Sequence, residues 1–409
     1  MDYGWTAKNV ALRQEVRNFI TENITPDVLD ELRLSGEANR GPSEQVRYIS
    51  PLAAEVHKKI AEKGWIGISW PKEYGGQGGS RLDQYIVEEE LARVGIRAGG
   101  AGGVGSAILG AGTEEQKHSF LTGMLEGQVF FASGFTEPSG GADLASLQCR
   151  AIKDGDFYII NGQKIFTSGA EAATHVYLLV RTDPDAPKHR GISILLVPMN
   201  SPGITVRPLW TVQNDPPAPP GTTYGTPRTN ETFYDNVRVP ASALLGEENM
   251  GWYVNAARLN LDRVGATRYL ISVQRDEDIV NWARENRVDG YLIADDPVIR
   301  DKMAELWIEA QVCRLMTMRS MSIVERDGDF TYEGSAEKVW SPEHGVKTTE
   351  AIAQMLGPYG QLLNGSPRAI ESGIFAHNLM GAYQSGINHG SVQIMRDQVA
   401  VRGLGLPRG

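Results

Sequence analysis

Cysteine is nearly absent from this chain of 409 residues, which contains only Cys149 and Cys313. Two thiols so far apart in sequence suggest neither a disulfide framework nor a cysteine zinc site. The seven histidines are also scattered, and none of them forms an H-x-x-x-H or H-x-H pair. We therefore expect no metal centre, and a reducing compartment fits the cysteine count.

Basic charge and long apolar runs are scarce as well. The chain has 40 Lys+Arg against 50 Asp+Glu, a net charge of −10, and no run of basic residues that would follow a phosphate backbone. No window of about 20 apolar residues occurs, and the charged, amphipathic N-terminus lacks the apolar core of a signal peptide. The sequence predicts a cytoplasmic protein that binds neither nucleic acid nor membranes.

The length and the pattern of apolar residues predict three domains of an α+β protein. A single hydrophobic core stops growing at roughly 250 to 300 residues, so this chain needs more than one. Helical spacing is found in residues 1–127, and short β-branched and aromatic runs predict a mostly antiparallel β domain at residues 128–246. Helical spacing returns in residues 247–409, which are expected to form a helical bundle.

Two local signals refine this organisation. Asp295 and Asp296 are candidate caps of a helix with Pro297 in its first turn, and apolar residues then recur at helical spacing as far as Cys313. Cys313 is therefore predicted to be an inert core thiol. In the segment 211–230, five prolines within 20 residues exclude a central strand or helix and predict a long loop.

Two patterns that resemble known site motifs lack the necessary context. The sequence GAGGVG at residues 100–105 satisfies G-x-G-x-x-G, but a dinucleotide site needs a strand before it, and the preceding segment is helical. We interpret it as a loop between helices. Ser139 has no G-x-S-x-G context, so a hydrolase nucleophile is not predicted there.

A turn that follows a predicted strand is more informative. In GFTEPSGGADLAS, residues 134–146, Thr136 offers a hydroxyl, and the two adjacent glycines let backbone N–H groups approach a flat polar ligand. The next strand carries Phe166 two residues before Ser168. Alternation along a strand would place both on one face, where they would contact the face and the edge of a ring. Taken alone, each piece is also compatible with an ordinary hairpin.

Together, FTEPSGGADLAS and the following DFYIINGQKIFTSG resemble the flavin-binding β domain of the acyl-CoA dehydrogenase family. GWIGISWPKEYGGQGGS and GTEEQKHSFLTGMLEGQ resemble its N-terminal helical segments, FYDNVRVPASALLGEENMGW its exit from the β domain, and QMLGPYG its flavin-contacting helix end. Order and spacing agree along nearly the whole chain. The resemblance implies an N-terminal helical domain, a β domain and a C-terminal four-helix bundle, with FAD between the β domain and the helices.

The resemblance also implies how the cofactor is held. The turn 133–142 would line the flavin, Phe166 would lie beside the isoalloxazine where tryptophan is frequent, and Ser168 would hydrogen-bond near N5 where threonine is common. A neighbouring subunit's FAD would meet the segment 354–358, which has Pro358 in place of the usual second glycine. The implied FAD contacts are Ser133, Phe135, Thr136, Gly141, Ala142, Phe166, Ser168, Arg287, Gln354, Gly357, Ser391 and Gln393.

One family element departs from its usual sequence. The arginine-phenylalanine-glycine element that reaches a neighbour's FAD corresponds here to ENRVDG, residues 285–290. Asn286 occupies the arginine position, with Arg287 next to it, and Asp289 replaces the aromatic residue. The contact between subunits is therefore expected to differ from that of other members.

The catalytic base has two candidate positions. Family members remove the substrate α-proton with a carboxylate, and in many of them this glutamate precedes a Gly-Thr pair near the C-terminus. In INHGSVQIMRDQVA, residues 387–400, His389 takes that position, as an alternative base or as a backbone N–H donor to the thioester oxygen. Members such as the isovaleryl and long-chain types place the glutamate on the first helix after the β domain, where this chain has Asp262.

Asp262 is the predicted base, although the alternative is that its carboxylate simply pairs with Arg263 or another arginine. Aspartate is one methylene shorter than glutamate, so the carboxylate would fall short by about 1.5 Å, and a misplacement of about 1 Å costs on the order of a hundredfold in rate. A deeper substrate, a shifted helix or a non-catalytic subunit would each account for the difference.

Three functions remain as hypotheses. The first is FAD-dependent conversion of an acyl-CoA to a 2,3-enoyl-CoA, with electrons passed to an electron-transfer flavoprotein. The base position and the C-terminal VRGLGLPRG resemble the branch that acts on branched, cyclic or sterol-derived acyl chains and is often built from two unlike subunits. The second is a non-catalytic or half-site subunit of such a heteromer. The third is a flavin monooxygenase or oxidase on the same fold. Shared cofactor sites imply a homo- or hetero-oligomer, a dimer or tetramer.

Overall fold

Helices, a sheet and helices again follow one another along the chain. The computed structural model describes residues 5–35, 51–96, 98, 103–212, 229–262, 264–288, 290–327, 331–363, 365–388 and 390–407. The first helices are α1 (Ala7–Asn23), α2 (Pro26–Ser35), α3 (Pro51–Glu62), α4 (Arg81–Ala92), α5 (Val104–Ala111), α6 (Glu114–Gln116) and α7 (Thr122–Leu125). A π-helical turn, Lys117–Leu121, joins α6 to α7.

The core of the N-terminal region forms where the apolar spacing predicts it. Val16 and Phe19 of α1 are buried and pack with Ile60 of α3 and Trp65. The G-x-G-x-x-G pattern at residues 100–105 lies between α4 and α5, and its last two residues begin α5. Residues 100–102 lie outside the described part of the chain. The described flanks are thus helical, as expected for a loop between helices.

A mostly antiparallel sheet follows. Its strands are β1 (Phe131–Gly134), β2 (Arg150–Asp154), β3 (Phe157–Lys164), β4 (His175–Arg181), β5 (Ile192–Pro198), β6 (Ile204–Pro208) and β7 (Asn230–Pro240). Their order is β1-β4-β2-β3-β7-β6, with β5 also paired to β4. Within the described strands, β4 pairs in parallel with β1 and β2, and the other pairs are antiparallel.

The sequence did not mark β2 and β7 as strands, and β7 shows why. Its buried residues alternate from Asn230 to Tyr234 and then resume out of phase at Val237. The register against β3 shifts in the same region, between Ile160 and Gly162. A β-bulge therefore breaks the period of two that a sequence search relies on. The segment 213–228 of the predicted long loop lies outside the described residues.

The C-terminal region contains the four-helix bundle. Its helices are α8 (Gly251–Asp262), α9 (Ala266–Glu285), α10 (Pro297–Asp327), α11 (Glu333–Leu356), α12 (Ile374–Ser385) and α13 (Val392–Gln398), with a small hairpin of β8 (Arg287–Val288) and β9 (Tyr291–Leu292). Helices α9 to α12 pack on one another. The predicted start of α10 is confirmed, because Asp296 Oδ1 accepts from the N–H groups of Val298 at 2.8 Å and Ile299 at 3.2 Å. Cys313 is buried, as predicted.

No described helix is both long enough and apolar enough to cross a membrane. Among the residues that the structure describes, no group of three or more His, Cys, Asp or Glu side chains is placed to hold a metal ion.

A buried carboxylate, Glu89, links the N-terminal helices to the C-terminal bundle. It lies on α4, is fully buried, and pairs with Arg13 of α1 at 2.6 Å and with Arg314 of α10 at 3.3 Å. Tyr269 of α9 donates its hydroxyl to the same carboxylate. Burial alone would raise the pKa of Glu89, but the Tyr269 hydrogen bond and the charges of Arg13 and Arg314 outweigh it, so the pKa is lowered.

Replacing Glu89 by alanine is expected to lower the free energy of unfolding by about 3–5 kcal/mol, because Arg314 loses its buried counter-charge, Arg13 keeps only Glu90, and Tyr269 loses an acceptor. Since the folded pKa is depressed, this stabilisation is present above the ordinary value of 4.5 and is lost as pH falls through the lower folded value. Urea unfolding at neutral and acidic pH measures both effects.

Glu15→Ala is the matched control, because Glu15 forms an exposed pair with Lys63 at 3.2 Å. Its loss is expected to stay below about 1 kcal/mol. Equal losses for the two variants would contradict a structural role for the Glu89 joint.

Candidate active site

The turn after β1 is held by a carboxylate beneath it. Glu137 and Gly140 exchange backbone hydrogen bonds of 3.0 and 3.1 Å, which closes the turn. The Glu137 side chain points inward and accepts from the N–H groups of Gln148 at 2.6 Å and Cys149 at 2.8 Å. Its third partner is Lys164 Nζ at 2.8 Å. Both charged groups are buried, so the ion pair fixes the turn from inside the sheet.

The same lysine brings the end of β3 beside the turn. Lys164 Nζ also donates to the carbonyl of Phe135 at 3.1 Å. The next residue, Ile165, donates its N–H to the carbonyl of Thr136 at 2.8 Å. Phe166 and Ser168 therefore follow directly after a segment that is hydrogen-bonded to the turn, and the two sequence motifs meet at one place.

The prediction that Phe166 and Ser168 lie on one face of a strand is wrong. Strand β3 ends at Lys164, and Phe166 adopts the left-handed backbone conformation with φ of 59°. The cause is a tertiary contact. The Thr167 N–H donates to the carbonyl of Asn230 in β7 at 2.9 Å, and the chain leaves the strand at this point. Left-handed backbone is rare for a bulky residue and is found where the surroundings enforce it.

Two of the side chains after β3 are accessible to solvent. Phe166 is 53% exposed, an unusual position for a large aromatic ring. Ser168 is half-buried, and its Oγ lies 3.0 Å from Thr229 Oγ1. Gly141 and Ala142 at the far end of the turn are also exposed. The segment that follows β3 and the turn bonded to it thus offer an exposed apolar ring, hydroxyls and open backbone.

Helix α8 faces the turn from the C-terminal region. Arg258 of α8 has its Nη2 atom 3.5 Å from Ser133 Oγ, and its guanidinium lies over the ring of Phe135. Asp262 is the last residue of α8. The side chain of Asp262 lies outside what the structure describes, and so does the whole of His389. The position of Asp262 on the helix that faces the turn is therefore described, while the geometry of both candidate bases is not.

Three models of protein-family domains match consecutive segments of this chain. The N-terminal domain model of acyl-CoA dehydrogenases matches residues 6–128, the middle domain model residues 132–218 and the C-terminal domain model residues 249–404. The chain belongs to the acyl-CoA dehydrogenase family. It is an oxidoreductase of the acyl-CoA dehydrogenase type, and its fold has the three parts that are characteristic of this family.

Known acyl-CoA dehydrogenases resemble the chain over its full length. Acyl-CoA dehydrogenase FadE26 of Mycobacterium tuberculosis is 32% identical, with 100% of this chain and 99% of the relative covered. A structure titled "Tcur3481-Tcur3483 steroid ACAD" is 35% identical with a TM-score of 0.84, and both chains are fully covered, 100% each. The ChsE4-ChsE5 complex from Mycobacterium tuberculosis is 31% identical with a TM-score of 0.82 and the same 100% coverage of both chains.

The other predicted cofactor contacts lie on the C-terminal region. Gln354 and Gly357 are exposed at the end of α11, and Gly357 has φ of 54°. Arg287 is exposed in the small hairpin and donates to the carbonyl of Gly290 at 2.9 Å. Among the hydrogen bonds of the described residues, none joins these three to the turn after β1.

The C-terminal loop is anchored on both sides of His389. Before it, the buried Lys338 of α11 donates to the Ser385 carbonyl and to Asn388 Oδ1 at 3.3 Å. After it, Ser391 caps α13 by accepting from the N–H of Ile394 at 3.4 Å, and Gln393 on the first turn is exposed. Asn388 is thus tied to α11, and Ser391 begins a capped helix.

Sequence reasoning missed Glu137, Lys164 and Arg258. A weak signal exists for Lys164, which is a lysine at an inward position of a strand that is otherwise apolar on that face. Such a lysine requires a buried partner, but the sequence does not show that the partner is Glu137. For Arg258 the signal is its spacing of four residues from Asp262 on one helix.

Replacing Lys164 by methionine is expected to lower the free energy of unfolding by about 3–5 kcal/mol, because the Glu137 carboxylate stays buried without its counter-charge. Lys188→Met is a matched control, since Lys188 forms an exposed ion pair with Asp143 near the same turn. We expect the control to lose less than about 1 kcal/mol. Chemical unfolding of both variants checks this, and a small loss for Lys164→Met would refute the anchoring role of the pair.

Proposed function

We propose that this chain binds FAD and converts an acyl-CoA thioester into its 2,3-enoyl-CoA, passing the electrons to an electron-transfer flavoprotein. The observation that carries the proposal is the junction of the turn after β1 with the exposed Phe166, in a chain that all three acyl-CoA dehydrogenase domain models match. The family is FAD-dependent, and the residues at this junction are those that would hold the cofactor.

The described residues fit a flat, polar-edged ring system. The exposed ring of Phe166 offers an apolar face, and the hydroxyls of Thr136 and Ser168 offer hydrogen bonds to a ring edge. At Gly141, an added Cβ would meet only Thr136 Cγ2, at 3.8 Å, so the backbone there is open to close approach. Bound FAD would supply the acceptor for the hydride that leaves C3 of the substrate.

Asp262 is the base that we propose for the proton at C2. An ionised carboxylate at the end of α8 would take this proton within a distance of about 3 Å. The C2–H electron pair then forms the new double bond as the hydride leaves C3. Backbone N–H groups of the anchored loop around His389 would hold the thioester oxygen as negative charge develops there. The His389 side chain shapes this loop in the proposal and is not needed as a base.

The acyl chain that we propose is bulky and cyclic, such as a sterol-derived one. The support is the steroid ACAD that is 35% identical to this chain over its whole length. Two of the similar structures are named for pairs of components, Tcur3481-Tcur3483 and ChsE4-ChsE5. We therefore propose a hetero-oligomer of this chain with an unlike homologue, in which Gln354, Gly357 and Arg287 contact the cofactor site of the neighbouring subunit.

Anaerobic titration with a panel of straight-chain, branched and sterol-derived acyl-CoAs tests the reaction and the base. We expect the flavin absorbance to bleach fastest with a sterol-derived thioester. In Asp262→Asn the bleaching rate is expected to fall at least about a thousandfold, since a positioned base contributes 10²–10⁴ in rate. His389→Ala, which keeps the backbone N–H, is the control and should remain within about tenfold of the parent.

The outcomes distinguish between the two candidate bases and between a dehydrogenase and a monooxygenase or oxidase. Unchanged bleaching in Asp262→Asn removes the proposed base, and loss of bleaching only in His389→Ala moves the base to the C-terminal loop. Rapid reaction of the reduced flavin with oxygen would instead point to a monooxygenase or oxidase.

Co-expression tests the assembly. Expressed with an unlike homologue of the same family, the chain is expected to purify as a hetero-oligomer that contains FAD, whereas alone it should retain much less. The physical reason is that Asn286 and Asp289 replace the usual element for reaching a neighbour's cofactor, so in two copies of this chain that element would contribute Arg287 alone. Absorbance at the flavin band and light scattering measure both quantities. A stable homo-oligomer with full FAD content would contradict the proposed assembly.

A further inference from the structure

Helix α8 carries charged and polar groups on the face that packs against the sheet. Arg258 is only 4% exposed, and Asn255, three residues earlier on the same face, is 1% exposed. Asp262 follows Arg258 by four residues, which places both on one face of the helix. A guanidinium is thus buried one turn before the proposed base, although arginine side chains rarely occur inside proteins without a specific reason.

Three residues on or directly after the adjacent strands β1 and β4 contact Arg258. Its Cζ atom lies 4.9 Å from the ring centroid of Tyr177 on β4 and 5.3 Å from that of Phe135, directly after β1. The two rings meet edge to face, 5.8 Å apart at 76°. Ser133, whose Oγ lies 3.5 Å from Arg258 Nη2, is the register partner of Tyr177. The guanidinium is therefore held by the residues where β1 leads into the turn.

This arrangement is directional, unlike an apolar contact. A planar guanidinium stacks on aromatic faces and donates from a rigid fork, so its position relative to both rings is restricted. An apolar side chain would fill the same space and avoid the cost of burying a charge. Packing alone does not account for an arginine here. What the arginine adds is a fixed distance and orientation between α8 and the end of β1.

We propose that Arg258 is a positioning residue that holds helix α8, and with it Asp262, against the turn after β1. This inference rests on the proposed function, in which the turn lines the flavin and Asp262 takes the substrate proton. The carboxylate of an aspartate extends less far than that of a glutamate, so the reaction depends closely on where the helix lies. Arg258 sets that position without contacting the reacting atoms.

The test compares Arg258→Met and Arg258→Lys with Arg238→Met as the matched control. Arg238 also stacks on an aromatic ring, with its Cζ 3.8 Å from the Phe157 centroid, but it is an exposed surface residue of β7. The proteins are studied in the assembly that retains FAD. Four quantities are measured: FAD content, the Kd of coenzyme A by calorimetry, the rate of flavin reduction at saturating acyl-CoA, and backbone amide hydrogen exchange at residues 133–136.

In Arg258→Met, flavin reduction is expected to slow about a hundredfold, the effect of roughly 1 Å of misplacement, while FAD content and the Kd of coenzyme A change less than about threefold. Amide exchange at residues 133–136 should become faster. Arg258→Lys should recover part of the rate, because a cation over the two rings remains. Arg238→Met should behave as the parent in all four measurements.

Two results would overturn the proposal. One is a parent-like rate and exchange in Arg258→Met. The other is a parallel loss of FAD, coenzyme A binding and rate, which shows that Arg258 only supports the fold. Failure of the proposed function is distinct, because then no acyl-CoA bleaches the flavin of the parent, and the amide exchange alone decides whether Arg258 holds the turn.

Discussion

The exit of the chain from β1 depends on the buried ion pair of Glu137 and Lys164. The carboxylate accepts from two backbone N–H groups and from the lysine, while the lysine also holds the Phe135 carbonyl. The two side chains thus neutralise each other's charge, and each also forms hydrogen bonds with the surrounding backbone. A buried ion pair is tolerated under this condition. The ion pair also affects Phe166, because a bulky residue keeps a left-handed backbone conformation only where its neighbours are fixed.

Directional polar contacts recur at the junctions between the three regions. Glu89 joins α4 to the C-terminal bundle through Arg314 and Tyr269, and Arg258 joins α8 to the sheet through two rings. Apolar surfaces would also hold these regions together, but they tolerate sliding because dispersion contacts have little directional preference. In a site assembled from a sheet and separate helices, such directional contacts fix how its parts are oriented.

Features that depend on local sequence signals could be predicted, whereas features that depend on tertiary contacts could not. The cap at Asp296, the buried Cys313 and the sequence of helical, β and helical regions follow from spacing and capping alone. Strand β7 was missed because its bulge shifts the alternation of buried residues. The conformation of Phe166 depends on hydrogen bonds to the turn and to Asn230, which lies 64 residues further on. No local pattern contains that information, and the same holds for the rings that surround Arg258.

The two departures from the family pattern concern different subunits, and this matters for the proposed assembly. In the proposed function Asp262 acts on substrate bound to its own chain, so its shorter reach would affect catalysis in this subunit and would have to be offset by the position of α8. Asn286 and Asp289 would instead affect the cofactor of a neighbour. In the proposed assembly this chain keeps its own site, while the neighbour's site loses a contact. The unlike partner then needs no site of its own, but must supply the usual element to this one. A hetero-oligomer with one working site per pair is the arrangement in which both departures are tolerated.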